Sequence, residues 1–496
     1  MTEPSISSQD RPALVWFTRD LRLADQPALT EAAATGRPLL ACYIHDPKLG
    51  GVWAQGAASR WWLHQSLQSL ATDLGRLGVK LILRQGETAA VLHALVRESR
   101  AASVHAAHAL EPAGRAVLAA LAPRLAAEAC ALNLHWTTVL ADPASLRSKT
   151  GSPYFVFTPF SRACADLAAA TPPLPPPTRL RPGPDLPSNT LASWRLLPTR
   201  PDWAGGLRET WRPGEAAAEA TLARFIESSV ESYADQRNLP GIEGVSRLSP
   251  YLHFGEISAH SCRHAALARP GKGSTSFINE IYWREFSAHL LWHNPRMPDA
   301  PLRESFAAMR WRNDPAALAA WQRGQTGIPI VDAGMRQLWH TGWQHNRVRM
   351  ITASFLIKHL LINWCEGEAW FWDTLVDADL ASNSASWQWV AGSGADAAPF
   401  FRIFNPELQG RKFDPDGTYV KRWVPELARL PASVIHAPWE APALVLREAG
   451  VSLGRTYPEP LVDLGEARAR ALDAFRLVTA KVDHAAAEKP RRAQRA

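Results

Sequence analysis

Cysteine is scarce in this sequence: Cys42, Cys130, Cys164, Cys262 and Cys365 are the only five in 496 residues. Their number is odd, they are scattered, and none forms a CxxC pair, so neither a disulfide framework nor a cysteine-held zinc site is indicated, and no metal is expected. Long apolar runs are also missing; none reaches the ~18 residues of a membrane span. The opening MTEPSISSQDRP has neither a basic n-region nor an apolar h-region, so no secretory signal is read there. A cytoplasmic protein in a reducing compartment, without a membrane partner, is the expectation. No internal repeat is present. The first β-α turn, Thr18-Arg19-Asp20-Leu21-Arg22, lacks GxGxxG and therefore argues against a dinucleotide cradle of that type.

What is there describes a large folded chain. Residues of hydrophobic type make up 46% of it, and its length exceeds what one core usually holds, so two domains joined by a linker are expected. The net charge of +7 and pI near 9.3 suit a polyanionic partner, although a solvated basic surface explains them equally. From Leu14 short apolar runs alternate with helical patterns: LVWF, LLACYI, KLILR, SVHAA and LNLHWTT are separated by PALTEAAA, SRWWLHQSLQSLATDL, TAAVLHALVRES and AGRAVLAALAPRLAAEA. This predicts an α/β fold, a five-stranded parallel Rossmann-like domain with helices on both faces. Prolines then crowd 172–187, which cannot be helix or central strand and reads as an extended connector. From Trp211 onward the pattern is helical, giving a larger all-α domain. The expected boundaries are a disordered N-terminus at 1–12, the α/β domain at 13–141, a linker at 142–201, the helical domain at 202–475, and a basic tail at 476–496.

Tryptophan is the strongest signal in the helical part, with eleven of twenty-one between Trp283 and Trp389. Base stacking or electron hopping uses indoles at such density, because each offers a large π face and a low oxidation cost. Four stretches concentrate the chemistry. In Asp377–Pro406, a helix over Asp377 to Val390 would put Asn383 and Trp387 on one face and turn Trp389 roughly the other way. Composition alone favours plain packing, with the Asn as a cap. In GVSRLSPYLHFG, a Gly, hydroxyls and Arg247 on a turn before a helix could hold a pyrophosphate, or could simply cap that helix. In FINEIYWREF, Glu280, Trp283 and Arg284 lie near one helical face; an acid beside an indole suits a flipped pyrimidine pair, and a surface Glu-Arg pair is the plainer reading. In TGWQHNRVRMITASF, Asn346 and Met350 share a face while Arg349 lies round the helix.

From about Leu14 to about Leu430 the chain resembles the photolyase and cryptochrome family, most closely its class I cyclobutane pyrimidine dimer photolyases. The resemblance implies a buried FAD, active when reduced, in the helical domain. It puts Asn383 at flavin N5, Asp377, Ala378 and Asp379 along the isoalloxazine, and Arg349 in a pair with Asp377. Tyr233, Ser246, Leu248 and Ser249, with Val245 in place of the usual Thr and Arg247 between, would hold the cofactor together with Phe277 and Arg284. Trp387, Trp364 and Trp311 match the family's electron relay. Glu280, which would steady the dimer radical anion, lines the lesion pocket with Trp283, Trp389, Asn346, Arg347 and Met350; Arg237 and Gln409 would contact DNA. The (6-4) photolyases carry His at the places of Asn346 and Met350, so cyclobutane dimers in UV-damaged DNA are the implied substrate. A cryptochrome-type blue-light signalling flavoprotein with little repair, or a (6-4) photolyase, remains the alternative. Trp16, Arg19, Asp20 and SRWWLHQSL look like the usual framework of an antenna domain. Ala113 and Gly114 stand where folate-binding members carry Asn-Glu, which leaves methenyltetrahydrofolate, a deazaflavin, another flavin or no second chromophore open. The protein is expected to act as a monomer, associating with the nucleoid when bound to DNA.

Overall fold

The computed structural model describes residues 10–168, 171–397, 399–400, 402–476 and 478. Its contacts divide the chain into two compact units. The first runs to Ala234 and takes in Val245–Pro295 and Val376–Ala381; the second comprises Asp235–Gly244, Arg296–Leu375 and the chain from Ser382. Among the described residues no helix is long and apolar enough to cross a membrane.

In the first unit the five apolar runs become β1 (Ala13–Phe17), β2 (Leu39–His45), β3 (Leu81–Gln85), β4 (Ser103–Ala107) and β5 (Ala131–His135). They form one parallel sheet in the order β3-β2-β1-β4-β5. Strands β1, β2 and β4 are buried along their whole length, which is why they read as unbroken apolar runs, whereas edge strand β5 is partly exposed. The connecting helices are α1 (Pro27–Ala34), α2 (Ala57–Arg76), α3 (Thr88–Ser99) and α4 (Pro112–Ala127). Alternate strand residues Leu14, Trp16, Leu40, Cys42 and Val104 form one core with Leu92, Val96, Leu121 and Leu125 of α3 and α4. The opposite face carries Val15, Tyr43 and His105, and α1 packs against β1, β4 and β5.

The connector is less uniform than expected. Its 142–201 span contains a helix, α5 (Phe157–Leu167), with Phe160 and Cys164 buried, because FTPFSRACADL is amphipathic and packs on a later helix. The proline-rich part at 172–187 contains no helix. It runs past the start of β2, where Leu39 N donates to Arg181 O and Gly183 N donates to Leu39 O. Arg11, within the stretch expected to be disordered, binds the carbonyl oxygens of Arg100 and Ala101. The basic tail from 479 lies outside the described residues.

The first unit continues with α6 (Gly205–Thr210), α7 (Glu215–Ser228), α8 (Tyr233–Gln236, which ends in the second unit), α9 (Ser249–Phe254), α10 (Ala259–Leu267) and α11 (Lys272–His293). Trp62 of α2 knits this unit together. It is fully buried, with ring centroids 5.4 Å from Trp211, 5.2 Å from Tyr251 and 6.0 Å from Phe254. The second unit holds α12 (Pro315–Arg323), α13 (Pro329–Thr341), α14 (Asn346–Ser354), α15 (Trp364–Thr374), most of α16 (Leu380–Ala391), α17 (Pro406–Phe413), α18 (Thr418–Trp423) and α19 (Ala443–Ala449).

Candidate functional site

The predicted site residues fall in both units. In the first, the turn after β1 packs against residues 254–255. Leu21 N donates to Phe254 O and Arg22 Nη1 to Gly255 O. Gly255, at φ +65°, comes so close to Arg19 and Asp20 that a Cβ there would strike their backbone. Arg19 lies in this tightly packed turn. Its guanidinium binds Glu111 Oε1 at 2.5 Å and lies 3.9 Å from Asp379 Oδ2. Beside it His253 is buried and held neutral, its pKa pushed down to about 3 by burial and by Arg19. Sequence reasoning gave Arg19 to the antenna framework and missed His253; only the chain fold brings either to the acid of the 377–379 segment. In that segment Asp377 and Ala378 are buried, and Asp379 N donates to Asp377 O. The helix expected from Asp377 begins instead at Leu380, leaving both acids in the non-helical approach.

The loop 245–248 leads into α9 as expected, with Leu248 N donating weakly to Ser246 Oγ at 3.4 Å. Arg247 takes a left-handed conformation, φ +55°, and its guanidinium stands 5.1 Å from the Trp211 ring centroid. Ser249 opens α9 and is exposed, while Val245 and Ser246 are half-buried. Tyr233, Phe225 and Phe277 form an aromatic trio, with Phe277 centroids 4.8 Å from Phe225 and 5.9 Å from Tyr233. On α11, Glu280 is half-buried. Arg284 is committed to the Thr138 carbonyl at 2.6 Å and to Glu285 at 3.1 Å. Trp283 departs from the expectation of an open stacking wall. Phe157 of α5 lies flat on it, with centroids 3.6 Å apart and planes within 3°, so at most one indole face is left for a base.

In the second unit α16 presents its residues as the helical spacing predicts. Asn383 is buried, and its Nδ2 donates to the Glu368 carbonyl at 3.1 Å. Because that partner can only accept, the amide orientation is chemically fixed, and Oδ1 is the atom Asn383 can offer elsewhere. Trp387, 2% exposed, packs edge-on against Phe371 at 5.0 Å and Trp321 at 6.3 Å. Gly367 of α15 makes this approach possible, since a Cβ there would overlap the indole. Trp389 is half-exposed, consistent with its opposite heading. Between them Gln388, which sequence reasoning passed over, is fully buried and binds the carbonyls of Met297 and Ala300 and the amide of Leu302. Trp364 is buried, and Trp311 sits half-buried at the margin of a cluster containing Phe306, Met309 and Phe400.

On α14, Asn346 is exposed, Met350 and Arg349 are half-buried, and Arg349 Nε donates to Gln344 O at 2.8 Å. Arg347, which the resemblance puts at the lesion pocket, has protein partners of its own. It is half-buried, binds Asn238 Oδ1 at 2.8 Å and stands 4.4 Å from the Phe413 centroid. Burial and neighbouring Arg237 lower its pKa, a strain that an anion would relieve. Gln409 is half-buried on α17.

Glu368 adds a titratable group beside Asn383. Ser384 Oγ donates to its Oε1 at 2.5 Å, its buried Oε2 has no partner, and burial raises its pKa to about 8. An acid raised in the folded state contributes stability that is complete below its ordinary value near 4.5 and is lost as pH rises through about 8. Glu368→Gln mimics the protonated form, so the wild type should lose stability relative to the variant between pH 5 and 8, by up to about 1.4 kcal/mol per pH unit. Denaturant midpoints of the two proteins across that range check this; parallel pH trends would show that Glu368 does not titrate there.

Comparison with known proteins agrees with both units. Residues 13–178 match the DNA photolyase family and residues 277–477 match the FAD binding domain of DNA photolyase. A deoxyribodipyrimidine photo-lyase of Agrobacterium fabrum is 47% identical over 478 residues, 95% of this chain and 99% of that one. Cryptochrome-1 of Arabidopsis thaliana is 36% identical, covering 93% of this chain and 70% of the plant protein. The crystal structure of a bacterial class III photolyase from Agrobacterium tumefaciens superposes with a TM-score of 0.92 at 47% identity, over 96% of this chain and all of that one. FAD is the cofactor; taken unit by unit, the hydroxyls of Ser246 and Ser249 around the start of α9 suit a pyrophosphate in the first, and in the second the Asn383 amide, with Nδ2 given to Glu368 O, presents Oδ1 as an acceptor. With both halves matched in order and a photo-lyase nearly half identical from end to end, this chain belongs to the photolyase and cryptochrome family.

Proposed function

We propose that this protein is a deoxyribodipyrimidine photo-lyase that uses blue light to split cyclobutane pyrimidine dimers in UV-damaged DNA, acting as a cytoplasmic monomer. The observation that carries the reading is α16, which offers a fixed amide oxygen and a buried indole on one face and a half-exposed indole on the other. Reduced FAD, when bound, supplies the electron that light drives onto the dimer and takes it back after the ring opens, with no net redox change. Asn383 Oδ1 would accept from N5–H. Asp377, Ala378, Asp379, Arg349, Phe277 and Arg284 would line the isoalloxazine, and Tyr233 with Val245, Ser246, Arg247, Leu248 and Ser249 would hold the remainder. Trp387, Trp364 and Trp311 would resupply electrons; the order buried, buried, half-buried suits a path from the interior outward.

Glu280 would donate to or accept from the imide edges of the flipped bases, with Trp389 and the remaining face of Trp283 as stacking walls. Arg237, Arg347 and Gln409 would bind the DNA, Arg347 giving up part of its Asn238 contact. Asn346 and Met350 in place of two histidines favour cyclobutane dimers over (6-4) products. Identity to an Arabidopsis cryptochrome supports a second reading, a blue-light signalling flavoprotein with little repair. A repair assay on dimer-containing oligonucleotides, irradiated and dark, separates them. Cyclobutane dimers should disappear only in the light, and Asn346→His with Met350→His should abolish this while retaining FAD. Flavin photochemistry without dimer loss would favour the signalling reading, and repair of (6-4) products would overturn the assigned substrate.

A further inference from the structure

We infer that Glu31, His105 and His135 form a binding site for a divalent transition metal ion of the zinc class, on the sheet face away from the α3 and α4 core. The three residues are far apart in sequence, so no spacing motif announces them. The fold assembles them in two steps. His105 on β4 pairs with Asn133 on β5, which puts His135, two residues further along β5, on the same face as a diagonal neighbour. Glu31 comes from α1, which packs over β4 and β5. One ligand atom from each residue lies within 4.8 Å of the other two, and His135 Nδ1 is 3.6 Å from Glu31 Oε1.

The histidines are set up as ligands. His105 is 3% exposed; its Nε2 is engaged by Ser103 Oγ at 3.1 Å and by Asn133 Nδ2 at 3.3 Å, while its buried Nδ1 has no partner. Turning the Asn133 amide over, which costs only an exchange of its O and N positions, lets the single Nε2–H be shared between Asn133 Oδ1 and Ser103 Oγ and leaves the Nδ1 lone pair to a metal. Of His135, Nδ1 faces Glu31 and the buried Nε2 has no hydrogen-bond partner, so its tautomer is not fixed by the protein. Two imidazoles and a carboxylate, with water in a fourth position, make a familiar zinc set. Zinc bonds of about 2.0–2.1 Å at tetrahedral angles separate ligand atoms by roughly 3.3 Å. The three atoms therefore need to converge by at most about 1.5 Å; Glu31, whose side chain is 64% exposed, can shift toward the histidines, and any closure between the two rings must come from their own side-chain rotation. A metal here would tie α1 to β4 and β5 without touching the flavin chemistry.

The test uses the full-length FAD-containing protein, stripped with a chelator and then equilibrated with zinc chloride. Wild type should bind one Zn²⁺ per chain with a raised melting temperature. His105→Phe, which keeps a ring in the space, should lose that equivalent and the thermal shift, and Ser103→Ala, which touches only the orienting hydrogen bond, should weaken binding roughly 10–100-fold. Glu31→Gln, a surface change that should not affect folding, covers the case in which His105→Phe does not fold; it should also lose tight binding. Cobalt substitution should give tetrahedral d–d absorption in wild type and not in Glu31→Gln. Absence of a stoichiometric zinc in wild type, or equal zinc retained by Glu31→Gln, would overturn the site.

Discussion

Trp387→Phe should leave FAD bound and stop its light-driven reduction. The indole is 2% exposed and wedged between Phe371 and Trp321, with Gly367 making space for it. Phenylalanine keeps an aromatic in that wedge, so the fold should hold, but a benzene ring is far harder to oxidise than an indole. Repair by chemically pre-reduced enzyme should persist, because the repair electron originates on the cofactor. Trp389→Ala should do the reverse. It removes a half-exposed indole on the other side of α16 and should weaken dimer binding by about 1–3 kcal/mol, the usual worth of a base-stacking aromatic, with photoreduction intact. Flavin absorbance under blue light with an external reductant, beside dimer repair after dithionite treatment, distinguishes the two. Loss of the same activity in both variants would mean that the two faces of α16 do not serve separate tasks.

How much of this was legible in the sequence depended on how local the cause was. The strands announced themselves because a strand buried on both sides must be apolar throughout, and the placement of Asn383, Trp387 and Trp389 follows from helical spacing alone. What escaped depends on partners distant in sequence. No pattern around Arg19 says that it will meet Glu111 and Asp379, and none around Trp283 says that Phe157 will cover it. The helix was expected from Asp377, but Asp377 lies in a turn whose carbonyl accepts from Asp379 N, so the helix begins only at Leu380 and both acids precede it. Gln388 was invisible for a different reason: a single amide between two tryptophans looks incidental until its carbonyl partners are known.

Trp62→Ala should be among the most destabilising single changes in the first unit. The ring is fully buried against Trp211, Tyr251 and Phe254. Its Nε1 donates to Glu256 Oε2 at 3.1 Å, while Ser66 Oγ and Gly214 N hold the other carboxyl oxygen. Deleting the ring should cost about 3–5 kcal/mol through lost burial and a residual cavity, and an unsatisfied buried oxygen on Glu256 adds about 1–3 kcal/mol. Trp62→Phe separates the two contributions, because it keeps most of the packing and loses the donor. Chemical denaturation should therefore order the proteins wild type, Trp62→Phe, Trp62→Ala, with the Phe variant short of the Ala variant by the larger part of the loss. Equal losses would mean that the hydrogen bond, not the packing, carries the contact.

The first unit is built from three stretches of chain, and the last of them, Val376–Ala381, follows about 80 residues that belong to the other unit. During synthesis at about 5–20 residues per second, that interval lasts roughly 4–16 s. Through it the nascent sheet and its helices exist without Asp379, so Arg19 has Glu111 as its one carboxylate of the pair it finally faces. Vectorial folding of this chain is thus interrupted by design of its topology: the N-terminal half emerges first but is finished late, and a nascent chain released at Pro295 would carry a first unit that lacks its closing segment.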